Sequence, residues 1–220
     1  MLDYAQARRM MVDCQLRTFD VNDQALLSAM DRVPRELFVP RGRESLAYSD
    51  QDLVVSEGAE RRSLVAPMVL GRLIQALAIE PGAKVLDVAC GTGYPSAVMT
   101  RLGAEVVALE ASEDLADEAR TRLIGSGAES VEVVTGSLQE GCVAHAPYDC
   151  ILVNGAVEMR PQRLLEQLRD GGRLACVQGK HRSGRATLYV RAGNAFGSRT
   201  LFDAAAPRLA AFAAEPGFVF

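Results

Sequence analysis

Lys84-Val-Leu-Asp-Val-Ala-Cys-Gly-Thr-Gly-Tyr94 joins an apolar run to a glycine-rich turn. Val85 to Val88 is a short apolar run carrying an acid at Asp87, and its length suits a buried parallel strand. It breaks into Ala89-Cys90-Gly91-Thr92-Gly93, and two glycines directly behind a strand predict a tight turn into a helix. Glycines let backbone N–H groups approach a ligand closely, and the following helix N-terminus offers unpaired donors. The turn therefore predicts a nucleotide-like cofactor. It is not the dinucleotide fingerprint Gly-x-Gly-x-x-Gly, because Ser96 stands three residues after the last glycine.

Outward from this turn the chain alternates. A helix over 64–78, with Pro67 in its first turn, precedes the strand. Helix 94–102, strand 106–109 ending at Glu110, helix 113–124, strand 131–134, strand 150–153, helix 161–168 and a strand through Leu174 to Val177 follow. This spacing predicts βαβ units and a parallel sheet covered by helices. Residues 186–191 and 196–202 read as a β-hairpin, and the aromatic-rich tail from Phe212 to Phe220 as a packed end. The expected fold class is α/β, a Rossmann-like sheet of seven strands with a C-terminal hairpin.

The first eighty residues differ in character. A helix over 5–17 is expected to turn Met10, Met11, Cys14 and Leu16 inward. Asp20 or Asn22 is the expected cap of a second helix, whose apolar face is Ala25, Leu26, Ala29, Met30 and Val33, with Pro34 ending it. Ser56 to Ser63 is polar around Gly58 and reads as a loop. Residues 1–80 are thus expected to form a helical, substrate-side module packed on a cofactor-binding core of residues 81–220.

Composition bounds the function. Among 220 residues 49% are apolar, the formal net charge is −4 and the isoelectric point is near 5.3, which argues against an electrostatic nucleic-acid binder. No run approaches the roughly eighteen apolar residues of a membrane span. The polar N-terminus and five scattered cysteines point to a reducing cytoplasm. Those cysteines form no metal-type cluster with His145 or His181, so no metal is expected.

Glu110 lies 17 residues past Gly93, where an acid at a strand tip can accept from both hydroxyls of a ribose. Asp87, Ala89, Gly91, Gly93 and Glu110 are therefore the candidate cofactor residues, joined by Ser137 and Leu138 at the end of the third strand, on the side facing a nucleotide base. An acid ahead of the glycines resembles S-adenosylmethionine-dependent methyltransferases, in which it sits near the methionine part of the cofactor.

The N-terminal half narrows the resemblance. Gln15-Leu-Arg17, Ala29-Met-Asp-Arg-Val-Pro-Arg-Glu-Leu-Phe-Val-Pro40, Ala47-Tyr48-x-Asp50, Ala66-Pro67, Leu115-Ala116, Tyr148 to Val153 and Gly171-Gly-Arg-Leu174 resemble protein-L-isoaspartate O-methyltransferases. The resemblance implies methyl transfer from S-adenosylmethionine to the carboxylate of isoaspartyl residues in damaged proteins. It implies a protein or peptide partner, with no nucleic acid and no membrane, and leaves the oligomeric state open. A methyltransferase of the same fold acting on another carboxylate or small-molecule acceptor, such as a small carboxylate, or a cofactor-binding sensor or scaffold without catalysis, are the alternatives.

One departure falls on the substrate side. The family carries Gly-x-Thr-Ile-Ser-x-Pro before the helix, its serine taken as the active-site residue. Alignment on Ala66-Pro67 places Val65 there, and Ser63 is the hydroxyl within reach if the loop shifts register. Arg61 and Arg62 read as surface charges, or as holders of a carboxylate. Asn154-Gly155-Ala156 replaces a Thr-Ala-Ala exit from the fourth strand.

Overall fold

The computed structural model describes residues 3–58, 61–180 and 183–214. Its centre is a seven-stranded sheet, built from β3 (Lys84–Val88), β4 (Glu105–Glu110), β5 (Glu132–Thr135), β6 (Tyr148–Val157), β7 (Leu168–Gln178), β8 (Arg185–Ala192) and β9 (Ala195–Asp203). The spatial order is β5-β4-β3-β6-β7-β8-β9. The first five strands are mutually parallel, and β8 and β9 close the sheet as antiparallel neighbours. Chain order reverses between β3 and β6, and ligands of open α/β sheets bind beyond the strand C-termini at such a reversal.

Helices α3 (Pro67–Leu77), α4 (Tyr94–Arg101), α5 (Glu113–Gly125) and the short α6 (Gln162–Glu166) complete the core. Leu70, Leu73, Ile74 and Leu77 of α3 are buried at helical spacing. Ser112 caps α5 by accepting from the Leu115 amide, with Glu113 and Asp114 in the positive first turn. The α6 helix is shorter than the expected 161–168. Gln167 leaves it to satisfy the neighbouring loop, donating to Glu140 O at 2.7 Å and accepting from Cys142 N at 3.0 Å, and β7 begins one residue later.

The N-terminal part begins with α1 (Tyr4–Met11), which continues as a π-helical turn over Val12–Leu16. That wider turn rotates the inward face to Met11, Val12 and Leu16. Met10 is 57% exposed and Cys14 lies outward, contrary to the helical-wheel expectation. Helix α2 (Gln24–Arg32) is capped by Asp23, which accepts from Ala25 N and Leu26 N, rather than by Asp20 or Asn22. Asp20 takes a left-handed backbone, and Asn22 N is bonded to the Gln75 side chain at 2.6 Å. Leu26, Leu27, Ala29 and Met30 are buried, while Ala25 is exposed.

The expected loop over 56–63 is in part a strand. β2 (Arg62–Leu64) pairs antiparallel with β1 (Leu53–Ser56) as a two-stranded sheet outside the main one, with a bulge between Val54 and Ser56. Among the described residues no helix is long and apolar enough to cross a membrane. His181 and the tail beyond Ala214 lie outside the described residues.

Candidate functional site

The C-terminal ends of β3, β4 and β6 converge on the glycine turn. Ala89, Gly91 and Gly93 adopt positive φ of 58°, 58° and 93°, which only glycine takes without cost. At Gly93 a Cβ would also stand 3.0 Å from Leu123 Cγ. The turn closes with Gly93 N donating to Cys90 O at 2.9 Å and Cys90 N to Leu109 O at 3.2 Å.

Asp87, the last residue but one of β3, is fully buried. It accepts from Ser96 Oγ of α4 and from Asn154 Nδ2 of β6. Burial outweighs both hydrogen bonds and raises its carboxyl to about 7. Asn154 reaches it because β6 runs to Val157, past the expected Val153, with a register shift against β7 between Leu152 and Ala156. Such irregularities re-aim side chains at sites. Asn154 Oδ1 is buried with no hydrogen-bond partner among the described residues. An acceptor left unpaired beside a buried carboxyl costs about 1–3 kcal/mol unless a ligand donates to it.

Glu110 ends β4 as expected, and it too is fully buried. Gly91 N donates to Oε2 at 3.0 Å and Ala111 N to Oε1 at 2.7 Å. Its remaining partner was not legible in the sequence: Arg62, from β2, donates Nε at 3.0 and 3.2 Å and Nη2 at 2.8 Å. Arg62 is 3% exposed, so the reading as a surface charge is corrected. Successive side chains of a strand face opposite ways, so Ser63 stands on the other face of β2 from Arg62 and is not brought to this cluster. Leu138 is buried in the core, in the same apolar cluster as Leu109, whereas Ser137 is exposed.

The N-terminal segment closes the turn from outside. Thr92 Oγ1 donates to Phe38 O at 2.7 Å, and Phe38 meets Tyr94 edge to face with ring centres 5.6 Å apart. The Arg35 guanidinium lies 4.6 Å from the Tyr94 ring centre and donates to Ala47 O at 2.8 Å and Val65 O at 2.9 Å. It is fully buried, and burial lowers its pKa. Val65 is thus held through its carbonyl, and its neighbour Ala66 N donates to Asp52 at 2.8 Å.

The chain's likeness to known proteins runs along all these elements. A sequence model described as "Protein-L-isoaspartate(D-aspartate) O-methyltransferase" matches residues 6–201. A protein-L-isoaspartate O-methyltransferase of Methanoculleus marisnigri is 38% identical over 172 residues, 78% of this chain and 77% of that protein. One of Herpetosiphon aurantiacus is 35% identical over 198 residues, 90% and 87% of the two chains. A solved structure named protein-L-isoaspartate O-methyltransferase superposes with a TM-score of 0.80 at 26% identity, covering 90% of this chain and 65% of that one.

Proposed function

The chain belongs to the protein-L-isoaspartate O-methyltransferase family, and on that premise we propose that it methylates the free carboxylate of L-isoaspartyl residues in damaged proteins, using S-adenosylmethionine. The ester would then close to a succinimide that reopens in part to normal aspartate. The observation carrying the proposal is the pair of buried carboxyls, Asp87 and Glu110, flanking a left-handed glycine turn at the chain reversal of the sheet.

The donor set fits the cofactor's chemistry. With Arg62 displaced, the Glu110 oxygens are acceptors for two vicinal hydroxyls, while Asp87 and Asn154 Oδ1 offer acceptors for an ammonium. In this reading the backbone from Ala89 to Gly93 lies along the cofactor, and the exposed Ser137 borders its base. S-adenosylmethionine supplies a methyl group on a positively charged sulfur.

The protein's own task is modest in acid–base terms. An acceptor carboxylate is ionised at neutral pH, so no base need be supplied. The chain aligns the acceptor and excludes water from it. We assign residues 1–80 to the acceptor side and 81–220 to the cofactor side. Arg35 fixes the acceptor edge by holding Ala47 O and Val65 O together. Val65 donates nothing through its side chain, so the acceptor carboxylate must rely on backbone or other donors there. A small carboxylate acceptor is the second reading, and this valine is what favours it. Five unpaired thiols support a reducing compartment, the cytoplasm, as the place of action.

The test is a panel of acceptors with methyl-labelled S-adenosylmethionine: an isoaspartyl peptide, its aspartyl isomer and simple dicarboxylates. Label entering the isoaspartyl peptide alone supports the proposal. Label entering only the small acids, or none of the panel, rejects it.

A further inference from the structure

Glu110 is already fully engaged. A carboxylate has about four lone-pair directions, and here they receive two backbone donors and a side-on guanidinium. The backbone donors, Gly91 N and Ala111 N, belong to the turn and to the residue after β4. The guanidinium comes from elsewhere, 48 residues away in sequence and in a different sheet. Arg62 Nε and Nη2 cover both oxygens, and the two side chains are 2% and 0% exposed. A ribose diol would have to use the same lone pairs.

We infer that Arg62 is a resident occupant of the ribose subsite, and that the cofactor binds only as strand β2 lifts this side chain off Glu110. The inference rests on the cofactor reading above. Its mechanical basis is the separateness of β2, which has three residues, pairs among the described residues with β1 and meets an irregular register there. The anchors lie just beyond it, where Arg35 holds Val65 O and Asp52 holds Ala66 N. Motion at Arg62 is therefore hinged next to Val65, on the acceptor side. On the other side β1 and β2 lie over the glycine turn, since a Cβ on Gly91 would stand 3.8 Å from Val55 Cγ2 and 4.0 Å from Arg62 Cβ. Lifting Arg62 thus uncovers the turn and the carboxylate together.

The exchange is unequal. Two neutral hydroxyls replace a bidentate, charge-assisted pair, and such pairs are the stronger kind. The closed form consequently taxes cofactor affinity by the fraction of molecules that are open. Arg62 also makes the cofactor's arrival a signal to the segment bearing Val65, because β2 runs directly into it.

Calorimetry with S-adenosylhomocysteine on the full chain and on Arg62→Met tests this, alongside amide hydrogen exchange of the unaltered protein. Methionine fills the stem's space without the charge. The expected result is binding tightened about tenfold or more in Arg62→Met, within the roughly 5–150-fold range of coupled equilibria. In the unaltered protein, saturating S-adenosylhomocysteine should speed exchange at residues 62–64 while slowing it at the glycine turn. The exchange measurement stands by itself if Arg62→Met does not fold. Affinity unchanged or weakened in folded Arg62→Met, or residues 62–64 unchanged or more protected on binding, overturns the inference and leaves Arg62 as a structural partner. No binding by either protein overturns the cofactor reading as well, which keeps the two failures apart.

Discussion

Replacing Asp87 by asparagine should remove a pH dependence of stability that the unaltered protein carries. The carboxyl is fully buried, and its pKa rises from 3.8 to about 7 because burial disfavours the charged form. A raised folded-state pKa gives stability that is fully present below the unfolded value and lost as pH climbs through the folded one. The slope is at most about 1.4 kcal/mol per pH unit, so roughly 2–3 kcal/mol should vanish between about pH 5 and 7, levelling off above that. Asparagine keeps the shape and one acceptor, and Ser96 Oγ can turn to accept from its amide. Urea unfolding at pH 5, 6, 7 and 8 should show this decline in the parent and a much flatter profile in Asp87→Asn. Parallel profiles for the two proteins would refute the assignment of the decline to Asp87.

The same carboxyl should make S-adenosylhomocysteine binding tighten as pH rises through about 7, since ionised Asp87 is the better partner for an ammonium; titration calorimetry across that window checks it. Glu110→Ala should abolish measurable S-adenosylhomocysteine binding and also lower stability by about 3–5 kcal/mol, because it removes one partner of a buried ion pair. Gly93→Ala should cost about 1–3 kcal/mol in chemical unfolding, through the left-handed backbone and the approach to Leu123. Val65→Ser should raise kcat/KM on an isoaspartyl peptide about tenfold, the effect of one added hydrogen bond to a charged group. Unchanged kinetics would place the acceptor carboxylate away from residue 65.

The sheet was legible because its signals are local. The run Lys84–Val88 and the turn behind it lie within eleven residues, and helices α4 and α5 begin at Tyr94 and Glu113 as their patterns predict. Glu110 followed from a short count along one βαβ unit. Arg62 did not, because its partner lies 48 residues on and its own neighbours are polar. A charged residue in such a stretch reads as solvated until tertiary structure supplies the opposite charge. In the sequence Asn154 reads only as an unusual strand exit, and the irregular β6–β7 register that turns it to Asp87 has no local signature. The π turn after Met11 shifted the buried face for a related reason: an extra residue per turn leaves the apolar pattern ambiguous. Arg35 stood inside the motif that resembles the family, yet its burial against Tyr94 and two distant carbonyls needed the fold to become visible.

Repair is read out by following an isoaspartyl peptide through repeated turnover. With S-adenosylmethionine present, chromatography should show the isoaspartyl form declining and the normal aspartyl isomer accumulating, with no conversion when the cofactor is omitted. An isoaspartyl peptide that stays unchanged while the protein demonstrably binds S-adenosylhomocysteine would show that this chain does not repair isoaspartate.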